Sequence, residues 1–175
     1  MEDDLLALER RRRLYQVVLA TPGLSAREIQ RAAGTAWGET VYHLDRLEGS
    51  GFVHREQGPH QDFYFAPTVP LGDRTVLRLA RSTAVRGILV TLIQEPQLTL
   101  QEVADRAAIS LSRASIHLRR LLDTALVVSG RRGNLRTFAV GDRERVARVL
   151  VAYREGYADD AVERLVDTWA ALFPP

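Results

Sequence analysis

Residues 25–53 read SAREIQRAAGTAWGETVYHLDRLEGSGFV, and residues 99–127 read TLQEVADRAAISLSRASIHLRRLLDTALV. Each stretch opens with a hydroxyl residue three places before a glutamate, Ser25 before Glu28 and Thr99 before Glu102. That spacing is a capping box: the hydroxyl caps the third amide of a helix while the carboxylate reaches back to the capping residue's own amide. A short helix over Ser25–Ala33 is expected, then a turn at Gly34-Thr35-Ala36, then a longer helix from Trp37 to about Glu48. The counterpart runs Thr99–Ala107, Ala108-Ile109-Ser110, and Leu111 to about Asp123. Thr40, Leu44 and Leu47 recur at helical spacing and predict one core face; Ala114, Leu118 and Leu121 predict the other. Helix, tight turn, helix is the helix-turn-helix pattern, and it is written here twice.

The two copies align without a gap at a shift of 74 residues, Arg12–Val53 over Arg86–Val127, with ten of 42 positions identical. Pro22 falls on Pro96, Leu24 on Leu98, and His43-Leu44-x-Arg46-Leu47 on His117-Leu118-x-Arg120-Leu121. Two copies are too few for a solenoid, so the pattern is a tandem duplication of one small domain. Upstream, Leu5–Ala20 predicts a helix with Glu2, Asp3 and Asp4 at its positive end, stopped by Pro22-Gly23. Downstream, Phe52-Val53-His54-Arg55 and Phe63-Tyr64-Phe65 flank a turn containing Gly58-Pro59. Leu126-Val127-Val128 and Thr137-Phe138-Ala139-Val140 likewise flank Gly130–Asn134. β-Branched and aromatic residues around such turns predict hairpins. Three helices and a hairpin make a winged helix.

The expected fold is therefore α+β and mainly helical: two tandem winged-helix domains plus C-terminal dimerisation helices. The expected boundaries are 1–68 for the first winged helix with its N-terminal helix, and 69–85 for a partly helical linker. The second winged helix takes 86–141, and an amphipathic helical region takes 142–175. That tail carries an apolar stripe along one long helix, or two broken near Gly156. Its apolar surface exceeds what a small domain needs, which predicts a homodimer joined through Val149, Tyr153, Tyr157, Leu165, Trp169 and Leu172. An effector, if there is one, is expected in an apolar crevice near Tyr153, Tyr157 and Trp169.

No apolar run approaches the roughly 18 residues of a membrane span, and the first residues do not read as a signal peptide. A cytoplasmic, nucleoid-associated protein is expected. There is no cysteine, which excludes disulfides, cysteine-bound iron–sulfur clusters and thiol switches. All 24 basic residues are arginine. Residues 12–67 hold six arginines and six acids, net zero; residues 86–140 hold eight arginines and four acids, net +4; residues 141–175 hold five arginines and seven acids, net −2. The positive field sits on the second repeat and points to a polyanionic partner.

Pro22-Gly23-Leu24-Ser25-x-x-Glu28-Ile29, then Thr40-Val41-Tyr42-His43-Leu44-x-x-Leu47-Glu48, then Gly51-Phe52-Val53 resembles the winged-helix transcriptional regulators of the ArsR/MarR-like superfamily. More narrowly, residues 10–170 resemble archaeal-type regulators with two tandem winged helices and a helical tail. The resemblance implies sequence-specific binding of double-stranded DNA, usually by a dimer. The first repeat departs from the pattern: Trp37-Gly38-Glu39 stands where a recognition helix usually opens with small polar or basic residues.

For DNA contact, the second long helix offers Ser112, Arg113, Ser115, Arg119 and Arg120, with Ile116 beside them, on faces not claimed by the core. Arginine forks onto guanine, and serine bonds to bases or phosphates. The hairpin adds Arg131, Arg132 and Arg136, which suit the DNA backbone or a minor groove. The first repeat offers Tyr42, Arg46 and Arg55. The competing readings are a solvated arginine-rich surface, an architectural chromatin protein of low sequence preference, and a tandem winged-helix adaptor for protein assembly. Arg10–Arg13 reads as a solvated face paired with Glu9. His43 and His117 lie in separate repeats, and His54 with His60 lacks an obvious third ligand, so no metal site or other cofactor is expected. No catalytic constellation appears, and an enzyme is not expected.

Overall fold

A computed structural model describes residues 8–157 and 160–173. The chain divides into two compact units, Met1–Arg78 and Leu79–Pro175. Unit 1 contains α1 (Glu9–Ala20), β1 (Leu24–Ser25), α2 (Ala26–Ala33), α3 (Trp37–Gly49), β2 (His54–Gln57) and β3 (Asp62–Phe65), and α4 (Leu71–Leu79) closes it. Unit 2 contains α5 (Thr83–Gln94), β4 (Leu98–Thr99), α6 (Leu100–Arg106), α7 (Leu111–Asp123), β5 (Val127–Arg132) and β6 (Leu135–Val140). It continues through α8 (Arg143–Ala152), a 3-10 turn (Arg154–Gly156), α9 (Ala161–Asp167) and α10 (Trp169–Leu172). The expected helical start at Leu5, with Glu2, Asp3 and Asp4, lies outside the described residues.

Both capping boxes are formed. Ser25 Oγ accepts the Glu28 N–H at 3.4 Å while Glu28 Oε2 accepts the Ser25 N–H at 2.8 Å. Thr99 and Glu102 repeat the exchange at 3.3 and 2.7 Å. Ser110 caps α7 by accepting the Arg113 N–H. Thr40, Leu44 and Leu47 on α3, and Ala114, Leu118 and Leu121 on α7, are buried as their spacing requires.

The hairpins differ from expectation in detail. Phe52 and Val53 precede β2, which starts at His54. In the second hairpin the strands run to Arg132 and resume at Leu135, so the turn is Gly133-Asn134 alone. Gly133 takes φ +61°, the left-handed conformation a two-residue hairpin turn needs. Gly130, expected in the turn, pairs with Thr137 inside the ladder. Each sheet also has a third strand, β1 on β3 and β4 on β6. At two residues each, these strands are too short to show alternation.

The duplication reaches further than residue identity. Leu24 pairs with Tyr64 and Leu98 with Phe138; His54 pairs with Phe65 and Val128 with Ala139. Every one of these pairs is related by the same shift of 74, as are the limits of α1 and α5. Left-handed backbone repeats too. Gly23, Gly34 and Gly51 have positive φ, and their counterparts are Gln97, Ala108 and Ala125, the positive-φ non-glycine residues of unit 2. A side chain in that region costs about 1–2 kcal/mol, against roughly 0.4–1 kcal/mol of extra unfolded-state entropy for glycine. Ala108→Gly and Ala125→Gly should therefore each stabilise unit 2 by about 0.5–1 kcal/mol in urea unfolding. Gly34→Ala should lower unit 1, since a Cβ there meets nothing within 4 Å and φ alone decides. Destabilisation by both alanine-to-glycine changes would contradict this.

The tail is broken into short helices, and its acceptor lies in its own unit. α5 (TAVRGILVTLIQ) buries nine of its twelve residues, whereas α1 buries Leu14 and Val18. Positions that face outward on α1, such as Gln16 and Leu19, become Val90 and Ile93 on α5. α8 and α9 pack on that second apolar face, burying Val146, Val149, Leu150, Val162 and Leu165. Polar ties fix the arrangement: Arg143 Nε donates to Ile93 O at 2.6 Å and Arg81 Nη1 to Gly156 O at 2.9 Å. Arg86 lies over the Tyr157 ring and Arg143 over Phe173. The apolar excess inferred from sequence is thus largely absorbed inside unit 2. Val149 and Leu165, expected at a dimer interface, are covered there.

Candidate nucleic-acid interface

On unit 2, α7 presents Leu111, Ser112, Arg113, Ile116, Arg119 and Arg120 to solvent, with Ser115 half-buried. Arg131, Arg132 and Arg136 are exposed on the β5–β6 wing, where Arg131 stands directly opposite Arg136. A cleft of about 490 Å³ separates helix from wing. Ser115, Arg119 and Arg136 line its rim and Leu118, Leu122 and Phe138 its apolar floor. Arg136 is held over the Phe138 ring, 5.3 Å from its centroid. Ser115, Arg119 and Arg136 therefore meet at one cleft and Arg131 shares the hairpin face of Arg136, while strand alternation turns Arg132 to the other face.

Two of the eight arginines counted for this repeat do not contribute to that surface. Arg86 is 3% exposed and donates to the backbone carbonyls of Ala80 and Arg81 and to Thr83 Oγ1. Arg106 is paired with Glu95 at 2.9 Å. Of the six that remain, Arg132 is held by Glu102. The other five form no ion pair among the described residues. Burial, then Arg120 and Arg113, hold the His117 imidazole below the usual histidine range.

The same surface of unit 1 is differently wired. Glu39 is ion-paired with Arg10, not the Glu9 partner expected for the arginine run. That bond holds the Glu39 carboxyl below its usual range. Arg11 Nε donates to His43 Nδ1 at 3.5 Å. Arg55 sits among three carboxylates: Glu48 at 2.9 Å, Asp45 at 3.8 Å and Asp62 at 3.9 Å. Arg46 lies over the exposed Tyr42 ring, and Arg27 stacks 3.9 Å from the centroid of Trp37. The cleft between α3 and its wing, about 260 Å³, is lined by Trp37, Val41 and Tyr64 with Asp62.

The shift of 74 makes the comparison exact in position. Glu39, Asp45 and Asp62 occupy the places of Arg113, Arg119 and Arg136, and Gln57 and Gly58 those of Arg131 and Arg132. The charge reversals are visible in sequence once the alignment is carried through the wing. Among the contacts missed from sequence is Glu102 with Arg132, which are 30 residues apart and carry no local signal.

Two folded helix-turn-helix units, each with a three-stranded wing sheet, define a tandem winged helix-turn-helix protein. Comparison with known families agrees: residues 8–77 match a family described as an N-terminal HTH domain, and residues 81–124 match the winged helix-turn-helix DNA-binding family. The chain thus carries two tandem helix-turn-helix units, each matched by a helix-turn-helix family. It is 23% identical over 133 residues to the uncharacterized HTH-type transcriptional regulator MJ1398 of Methanocaldococcus jannaschii, covering 76% of this chain and 34% of that relative. The chain thus spans about a third of the length of that relative. A solved structure, the DIP2311 protein of Corynebacterium diphtheriae, aligns at 14% identity over 75% of this chain and 26% of its own, with a TM-score of 0.29.

Proposed function

We propose that the chain is a transcriptional regulator that binds duplex DNA, with the second repeat as its main reader. In this reading α7 enters the major groove. Arg113, Arg119 and Arg120 address bases and phosphates from the helix, with Ser112 and Ser115 between them. The wing lays Arg131 and Arg136 along the backbone. The observation that carries the reading is the reversal of charge at three equivalent surface positions, Glu39, Asp45 and Asp62 against Arg113, Arg119 and Arg136. A solvated surface has no reason to turn all three the same way, whereas a polyanion rewards each one. Repeat one is a minor contributor through Tyr42 and Arg46, since Arg55 is neutralised by its carboxylates.

The regulator acts as a homodimer on nucleoid DNA in the cytoplasm. Its dimer surface is the end of the tail that unit 2 leaves partly uncovered, Tyr153, Tyr157, Trp169 and Leu172, all half-exposed. Selection of bound fragments from random duplex DNA tests both statements. The expected product is a defined motif in two symmetric half-sites, with centres about 10 base pairs or a multiple of that apart. A single half-site would remove the dimer. Salt-dependent binding without any motif would make the chain an architectural protein, and no binding would leave an assembly adaptor.

A further inference from the structure

Among the exposed arginines of α7 and the β5–β6 wing, the exception is Arg132, the last residue of β5. Its Nη2 donates to both carboxylate oxygens of Glu102, at 2.7 and 2.9 Å. Glu102 already has a structural task at the start of α6, where it accepts the Thr99 N–H at 2.7 Å. One carboxylate therefore ties together the capping box of the first helix of the helix-turn-helix and the last paired residue before the wing tip. The Thr99 N–H first, and then Arg132, draw the Glu102 carboxyl down to about 2, so it stays charged throughout the physiological range.

The neutral repeat has no such tie. Glu28 makes the equivalent cap with Ser25, but the position equivalent to Arg132 is Gly58, whose N–H bonds to Gln61 O across its own turn. The link thus occurs only in the repeat whose wing is basic. It joins two elements that must reach DNA together, while Arg131 and Arg136 form no ion pair among the described residues.

Resting on the reading of repeat two as the DNA face, we propose that Glu102 and Arg132 form a latch that presets the wing against the helix-turn-helix. Arg132 is then a positioning residue, and Arg131 and Arg136 are the wing residues that touch DNA. The latch makes a prediction of unusual sign. Removing an acid close to a polyanion ordinarily tightens binding, but removing this one should loosen it.

The test uses the full chain as wild type, Glu102→Gln, Arg132→Ala and the double variant, with Arg113→Ala as a separate gauge of the DNA face. Glutamine at this position keeps the capping box, so Glu102→Gln removes the latch without unwinding α6. Binding to a mixed-sequence duplex is measured as a function of salt, and hydrogen exchange of residues 129–137 is measured without DNA. The expected result is a loss of about three- to fivefold for either single change. The double variant should be no worse than either, the salt slope should be unchanged, and wing exchange should be faster in both single variants. The latch is overturned if Glu102→Gln tightens binding while Arg132→Ala lowers the salt slope by about one unit, the mark of a phosphate contact. It is also overturned if wing exchange does not change. If Arg113→Ala leaves affinity unaltered, the DNA-face reading falls, and the exchange rates still decide whether the latch exists.

Discussion

Replacing Arg113, Arg119 and Arg136 by the residues that repeat one carries in their place should abolish useful DNA binding. The triple variant Arg113→Glu, Arg119→Asp, Arg136→Asp loses contacts of roughly 1–3 kcal/mol each and adds repulsion. Affinity should fall about a thousandfold or more, and the logarithmic salt slope should drop by about three units. All three side chains are exposed, so the melting behaviour of unit 2 should barely move. The reciprocal variant Glu39→Arg, Asp45→Arg, Asp62→Arg should instead tighten binding and steepen the slope, because it adds three cations, frees Arg10 and leaves Arg55 with Glu48 alone. Anisotropy titrations across a salt series measure both. Equal losses from the two triple variants would mean that charge was assigned to the wrong face.

The second large effect concerns the tail. Leu150 and Leu165 are fully buried against the rest of unit 2, and truncating a buried leucine to alanine costs about 2–5 kcal/mol. Whole domains are stable by only about 5–15 kcal/mol. Leu150→Ala with Leu165→Ala should therefore bring unit 2 to the edge of unfolding, followed through Trp169, its only tryptophan. The unit 1 transition, followed through Trp37, should stay in place. A tail serving only to join two copies would behave otherwise: the substitutions would alter association and leave the unfolding of the diluted chain unchanged.

Much of this architecture was legible in the residues. The capping boxes, the helix limits from Trp37 and Leu111, and the buried triplets Thr40-Leu44-Leu47 and Ala114-Leu118-Leu121 all follow from short-range rules of hydrogen bonding and periodicity. The wings were less legible for a physical reason. From His54 to Ala66, thirteen aligned positions share no residue with their counterparts, because a surface hairpin constrains its backbone register but not its side chains. The repeat is kept there in pairing and lost in identity. The tail reads as surplus in sequence because its acceptor, α5, reads simply as the first helix of a repeat. A helix apolar on every side is a buried helix, and TAVRGILVTLIQ, set beside the amphipathic ERRRRLYQVVLA of α1, marks where the tail packs. The candidate site was legible in its charge, but its internal ties were not. Arg55 with its carboxylates, Arg10 with Glu39 and Arg132 with Glu102 depend on how helix and hairpin are brought together in space.

In the proposed binding mode α7 and the β5–β6 wing read DNA while the equivalent surface of unit 1 does so little. Hydrogen exchange of the full chain with and without a saturating duplex tests it without any substitution. Protection should concentrate in residues 111–123 and 127–140, with small changes at 37–49 and 54–65. Protection confined to 37–49 and 54–65, with the second repeat exchanging as in the free chain, would make unit 1 the DNA reader instead.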